Sequence, residues 1–431
     1  MDFDAYHARA GTINIDDITP DELNRDILRK LRANYDELTK MWVCGVPDRD
    51  TDDFDYCYCP SNANDWGWLM YYIGENKRLR HFQIGSRNLN GIHHDVQSLF
   101  RGIWLNRSIQ EIAFYSYDLR GGDVFRSLAP FFKLRPFVSK VQIKQCDLGD
   151  EGCHFLSLAL RECNSLRTLT LNNDSIDDGG MESLMPALAE NSNLRALNLN
   201  GNTSITIKGF RALSIVLESP TSNLVLLSLI GNYICDKVLK MLACALVNNS
   251  ALKWLWQNSN IITNEGWRAL SKSLCNTSSI DATFLSNHTI VDVGDTPDDE
   301  LNGLVALNKW GYSNKQVAMF KILRYHDNFG MQPLIGRDFK ILPCMIEWFD
   351  KASVALMERA GIQRSLRGQL VGATSLEQKK LTAIYQFICG MSSEFIEALT
   401  MHELKEATAR KKRLRSELEE AEQLESRWIR R

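Results

Sequence analysis

Three cysteines near the amino end are the residues best suited to chemistry: Cys44, and Cys57 and Cys59 on either side of Tyr58. Thiolates bind zinc, but structural zinc usually takes pairs spaced C-x₂₋₄-C. The spacing here is C-x₁₂-C-x-C, with His7 or His81 as a conceivable fourth ligand, and it reads as ordinary loop cysteines with no metal assigned. Asp48, Asp50, Asp52 and Asp53 are spaced like the carboxylates of a calcium loop. Such a loop needs Gly at its sixth position and Glu at its twelfth, where this chain has Asp53 and Cys59. A solvated acidic loop is expected there. The chain contains no G-x-x-x-x-G-K-[ST], G-x-G-x-x-G, G-x-S-x-G or H-E-x-x-H motif. His94-Asp95 and the single histidines His81, His154 and His288 have no nucleophile beside them. No catalytic residue and no cofactor is assigned, and the chain is expected not to be an enzyme. The enzyme reading would need a histidine and a carboxylate within hydrogen-bond reach in a cleft.

Composition narrows the partner classes. Fifty basic and 53 acidic side chains in 431 residues give no general electrostatic case for nucleic acid. The longest apolar run, Leu224–Ile230, is seven residues and includes Ser228, far short of a bilayer span. The start, Met1-Asp2-Phe3-Asp4, has no apolar run behind it, so no secretory signal is read. The 11 cysteines are expected to be reduced thiols in a cytoplasmic protein. The basic run Arg410–Arg415 could serve nuclear import. Glu417, Glu419, Glu420 and Glu422 after it favour a solvated helix face.

What must position any site is a repeat. The pattern L-x-x-L-x-L-x-x-N-x-L opens at Leu79, Ile109, Val138, Leu166, Leu194, Leu224, Leu252 and Ile280, with successive spacings of 28 to 30 residues. Clear copies are Val138-Val141-Ile143-Cys146-Leu148 and Leu166-Leu169-Leu171-Asp174-Ile176. Each copy continues with helical periodicity, opened in several by a glycine (Gly152, Gly180, Gly266), which predicts one strand, a turn and one helix per repeat. Side chains alternate along a strand, so the fourth and sixth positions face the helices and their neighbours face the other way. The Asn, Asp or Cys at the ninth position is placed to hydrogen-bond the turn backbone. One repeat cannot bury its own apolar stripe, so the copies must stack, with a parallel sheet lining the concave side.

These motifs resemble the leucine-rich-repeat superfamily, and the repeat length with a full helix resembles its ribonuclease-inhibitor (RNI-like) type. Three flanking stretches resemble uncharacterised algal members of that type. They are Asn64-Asp65-Trp66-Gly67-Trp68-Leu69 with Ile73–Asn76, Ser286-Asn287-His288-Thr289, and Lys315–Ala318 with Lys321–His326. The resemblance implies an α/β horseshoe with helical caps and brings no activity with it.

The expected organisation is an N-terminal helical cap at 1–36, about nine repeats at 37–292, a C-terminal helical cap at 293–400 and a charged helix at 401–431. Leu38, Met41 and Val43 supply a hidden first strand, followed by an inserted loop at 44–64 and a helix at Trp66–Asn76. Thr19-Pro20-Asp21 starts a helix through Asn34, and Ser313-x-x-Gln316 is a capping box. Ile18–Leu31 also faintly resembles the start of an F-box, a ubiquitin-ligase adaptor motif. In the last helix Leu404, Leu418, Ala407, Leu414, Ala421 and Trp428 form an apolar coiled-coil-like stripe interrupted by Lys411 and Glu425.

The outward strand residues are the candidate site. They are polar and partly basic early on, and apolar in the last third. The partner-binding residues expected on this face are Trp42, Tyr115, Leu226, Ile230, Trp254, Trp256 and Phe284. Clustered exposed aromatics mark a contact. The function expected is a scaffold or receptor for a protein partner through the concave face, with an F-box-like adaptor as the alternative. The same aromatics could instead be covered by the chain's own C-terminal segment, and a shift of register that turns the tryptophans inward would spare Gln257 from burial. No nucleic acid or membrane is expected as partner, and the sequence does not set the oligomeric state.

Overall fold

Leucine at every third or second position on one side, with small polar turns between, lets each repeat lay a short strand beside the previous one. The computed structural model describes residues 3–44, 56–85, 96–116, 119, 126, 137–161, 163–309 and 313–326. The acidic run 48–53, His94-Asp95, most of the expected C-terminal cap, Arg410–Arg415 and the 401–431 helix lie outside the described residues. Two compact units divide the chain: Met1–Leu274 with Asn287–Lys309, and Cys275–Ser286 with Trp310–Arg431.

The first unit begins with α1 (Phe3–Arg9) and α2 (Glu22–Ala33). Asp21 caps α2 by accepting from the Asn24 N–H, and Asn34 ends it in the left-handed conformation, as the helix signals require. Then come β1 (Lys40–Val43), β2 (Cys57–Tyr58), α3 (Ala63–Glu75), β3 (His81–Gly85), α4 (Val96–Leu105) and β4 (Glu111–Tyr115). The regular stretch follows with β5 (Lys140–Lys144), α5 (Gly149–Arg161), β6 (Thr168–Asn172), α6 (Asp178–Glu190), β7 (Ala196–Asn198) and α7 (Ile207–Glu218). Strand β8 (Leu226–Ser228), α8 (Asp236–Leu246), β9 (Trp254–Trp256) and α9 (Asn264–Leu274) complete it. All nine strands are parallel in one sheet of order β2-β1-β3-β4-β5-β6-β7-β8-β9. Neighbouring helices pack on one side of it, so the unit is an α/β solenoid.

Register follows the leucines. Leu169 pairs with Val141 and Leu197, and all of these are buried. Gln257 is buried too, at 2% exposure, while Trp254 and Trp256 face away from the helices. The register therefore stays in phase through β9, and a polar side chain occupies the sixth, inward position there.

Two ladders of side-chain amides tie the repeats together. At the strand exits, Asn202 accepts at Oδ1 from the N–H groups of Asp174 (3.0 Å) and Ile176 (3.2 Å) in the preceding repeat, and its Nδ2 donates to the Leu171 carbonyl at 2.8 Å. Asn232 and Asn260 repeat the arrangement. At the strand entries, Asn76, Asn106, Asn191, Asn249 and Asn287 each accept from the N–H groups two and three residues on. Asn106, Asn191, Asn249 and Asn287 also donate to a carbonyl of the repeat before, and Asn76 to the Leu31 carbonyl of α2. These side chains satisfy backbone groups that the sheet and helices leave over.

Two expectations are corrected. The repeat expected to open at Ile280 is a helix, α10 (Ile280–Phe284), capped by Ser279 and belonging to the second unit. The next coil opens ten residues later, at Ile290. Asn287 provides its entry amide, and the Asp292 carbonyl accepts from the Leu255 N–H at 2.9 Å. Ile280, Thr283, Leu285, His288 and Ile290 match the repeat template in spacing, so the spacing by itself does not separate this helix from a coil. The other correction is the inserted segment at 44–64. Its described part contains β2, which pairs with β1 at the edge of the sheet.

Helix α11 (Asp299–Asn308) packs on α9 within the first unit. In the second unit α10 packs on α12 (Asn314–Tyr325), whose Ser313–Gln316 capping box forms as expected. There the Thr283 hydroxyl lies 2.8 Å from His326 Nε2. Burial lowers the Lys321 ammonium to about 7, with Cys275 opposing the shift.

Candidate partner-binding face

The sheet face away from the helices divides by chemistry. Its early strands carry Lys40, His81, Glu111, Lys140, Lys144 and Tyr115. Parallel register places His81 beside Glu111 and Glu111 beside Lys140, so the charges interleave. The Glu111 carboxylate lies 3.2 Å from His81 Nδ1 and 3.1 Å from Lys140 Nζ. Lys144 Nζ lies 2.8 Å from the Tyr115 hydroxyl and 5.0 Å from its ring centroid. Burial pushes the His81 imidazole below its usual value, against the pull of Glu111. The enzyme reading asked for such a histidine–carboxylate pair. Here the carboxylate is shared with Lys140, as in a charge network.

The later strands differ. Leu226 pairs with Trp254, and Ser228 with Trp256. Trp254 is 37% exposed, and Leu226, Ile230 and Trp256 are half-buried. Between the two halves, Asn200 bridges repeats, its Oδ1 accepting from the Ser228 hydroxyl (2.7 Å) and the Ile230 N–H (2.8 Å). Six of the seven expected site residues thus belong to the sheet region: Trp42, Tyr115, Leu226, Ile230, Trp254 and Trp256. Trp42 and Tyr115 lie on the early, polar strands, apart from the apolar four. Phe284 does not join them. It lies on α10 of the second unit, because the strand expected around it is that helix.

The three cysteines read from their spacing as ordinary loop residues form a cluster. Cys44, Cys57 and Cys59 come together at the opposite edge of the sheet, all three Sγ atoms within 4.8 Å of one another. Hydrogen bonds with the Cys44 and Cys57 thiols, reinforced by burial, hold the Cys59 thiol far above its usual range. Parallel pairing of β1 with β2 creates this proximity, and counting residues along the chain hides it.

No family model and no curated protein matches the chain. Among solved structures, 54 chains match. One, from the crystal structure of the Rad7 and Elc1 complex in yeast, is 16% identical with a TM-score of 0.24. The match covers 49% of this chain and 64% of that one, less than two thirds of its length. At that TM-score the likeness decides neither fold nor partner. The solenoid stands on the strand register and the helix packing. No helix among the described residues is long and apolar enough to cross a membrane.

Proposed function

We propose that this chain is a leucine-rich-repeat protein of the ribonuclease-inhibitor type that holds a protein partner on the open face of its sheet. The observation that carries the reading is the apolar patch of Leu226, Ile230, Trp254 and Trp256 on a surface turned away from the helices. Removing two indole rings from water is a large favourable term, and tryptophan is enriched where alanine substitution costs most in complexes. The mixed charges of Lys40, Glu111, Lys140 and Lys144 would then fix orientation more than affinity. No reaction, cofactor or nucleic acid enters this proposal, and its setting is the cytoplasm.

The test is a quantitative comparison of co-purifying proteins by mass spectrometry. Trp254→Ser with Trp256→Ser should lose at least one protein that the unaltered chain retains. Leu158→Ser, at an exposed helix position (43% exposed), should keep it. A Trp254/Trp256 variant that retains every partner of the unaltered chain rejects the proposal.

A further inference from the structure

We propose that Cys44, Cys57 and Cys59 form a three-thiolate site for a zinc-class metal ion at the amino-terminal edge of the sheet. The geometry begins with strand pairing. Trp42 pairs with Cys57 and Val43 with Tyr58, and the Cys44 N–H donates to the Tyr58 carbonyl at 3.1 Å. Cys57 on β2 and Cys59 just past its end stand two apart, either side of the buried Tyr58. Cys44 joins them from the neighbouring strand. Its Sγ lies 2.8 Å from that of Cys57 and 3.3 Å from that of Cys59.

A zinc ion about 2.3 Å from each sulfur sets tetrahedral sulfur–sulfur separations of about 3.8 Å. The three atoms already lie within 4.8 Å of one another, so small rotations about Cα–Cβ suffice. Three protein ligands leave one position of the tetrahedron for solvent.

The surroundings hold the cysteines in place. Asn24 of α2, 1% exposed, grips the Cys59 main chain from both sides. Its Nδ2 donates to the Cys59 carbonyl at 2.7 Å, and its Oδ1 accepts from the Cys59 N–H at 3.1 Å. Asp65 of α3, fully buried, accepts from the Tyr58 hydroxyl and from the N–H and hydroxyl of Ser61, each of the latter at 2.8 Å. A two-residue strand is thus fixed to two helices by buried polar side chains. Supporting contacts of this kind hold metal ligands to the tolerance a site needs.

The experiment uses the full chain, purified under reducing conditions, stripped with a chelator and titrated with Co²⁺. One equivalent should raise a sulfur-to-cobalt charge-transfer band and the strong visible absorption of tetrahedral cobalt, and Zn²⁺ should abolish both. Cys57→Ser and Cys59→Ser should lose the bands, whereas Cys244→Ser, at an exposed helix position, should keep them. A measurement on the unaltered chain covers the case in which the serine variants do not fold. Zn²⁺ should slow alkylation of Cys44, Cys57 and Cys59, mapped by peptide mass, and leave Cys244 unaffected. Equal alkylation with and without zinc, no charge-transfer band, or a Cys44–Cys57 disulfide in the reduced preparation would each overturn the site.

Discussion

Asp174 shows how one atom can alter a repeat. It stands at the exit position where Asn202, Asn232 and Asn260 stand in later repeats. Its Oδ1 accepts from the Cys146 N–H at 2.8 Å, as an asparagine would. Its Oδ2 replaces the amide donor and, among the described residues, has no hydrogen-bond partner. Burial pushes the carboxyl from 3.8 up to about 8, so the folded protein keeps it protonated at neutral pH. Between about pH 4 and 8 the unfolded chain has lost this proton and the folded one holds it. Stability should therefore fall as pH rises through that window, by up to about 1.4 kcal/mol per unit from this residue, and level off above it. Asp174→Asn should remove that slope and raise stability near neutrality by about 1–3 kcal/mol. Urea unfolding at several pH values reads both effects, and an unchanged slope would refute the assignment. At the same scale, Leu169→Ala and Leu197→Ala delete side chains with no exposure, and each should cost about 2–5 kcal/mol in urea melts. The inward leucines were legible from spacing alone, as was the helix start at Thr19-Pro20-Asp21, where Asp21 proves to be the cap. The cysteine trio was named from the sequence but read as ordinary loop residues, because its members meet across a strand pair and their spacing does not match C-x₂₋₄-C.

Among the elements, the helices are capped across repeats. The Asp236 carboxylate, at the first position of α8, accepts from the Thr263 N–H (2.8 Å), the Thr263 hydroxyl (2.6 Å) and the Gly266 N–H (3.1 Å) at the start of α9. Asp178 does the same for Thr206 and Gly209 of α7. The hydrogen bonds from Thr263 hold Asp236 below the ordinary carboxylate range. The recurring glycine, visible in the sequence, now has its reason. A Cβ at Gly266 would sit 2.5 Å from Asp236 Oδ1 and 2.9 Å from Ile262 Cγ2. Replacing glycine by alanine inside a helix ordinarily stabilises it by up to about 1 kcal/mol. Gly266→Ala should instead lower the melting temperature by about 2–4 °C. A rise would remove the inter-repeat cap from the account. The misplaced repeat at Ile280 teaches the same lesson. Apolar spacing alone fits both a coil and helix α10, and the entry position does not decide between them, since the coils at Leu166 and Leu224 have Cys163 and Thr221 where Leu252 and Ile290 have Asn249 and Asn287.

For the molecule as a whole, the repeat period made the solenoid legible before any coordinates, because stacking is the only way such stripes are buried. Its two ends were harder to read. There an edge strand is supplied by an insertion, and a helix interrupts the count. The patch on the late strands was legible once register was fixed, and Phe284 fell out of it where register failed. The amide ladders have a mechanical meaning as well. Sheet bonds and side-chain hydrogen bonds span the interfaces between coils, so a pull along the stack of the first unit loads them side by side. At the interface between the coils of Cys146 and Asp174 the exit row has a carboxyl in place of the amide. Where that carboxyl ionises, above about pH 8, this joint loosens, with the charged early strands on one side and the strands of Trp254 and Trp256 on the other.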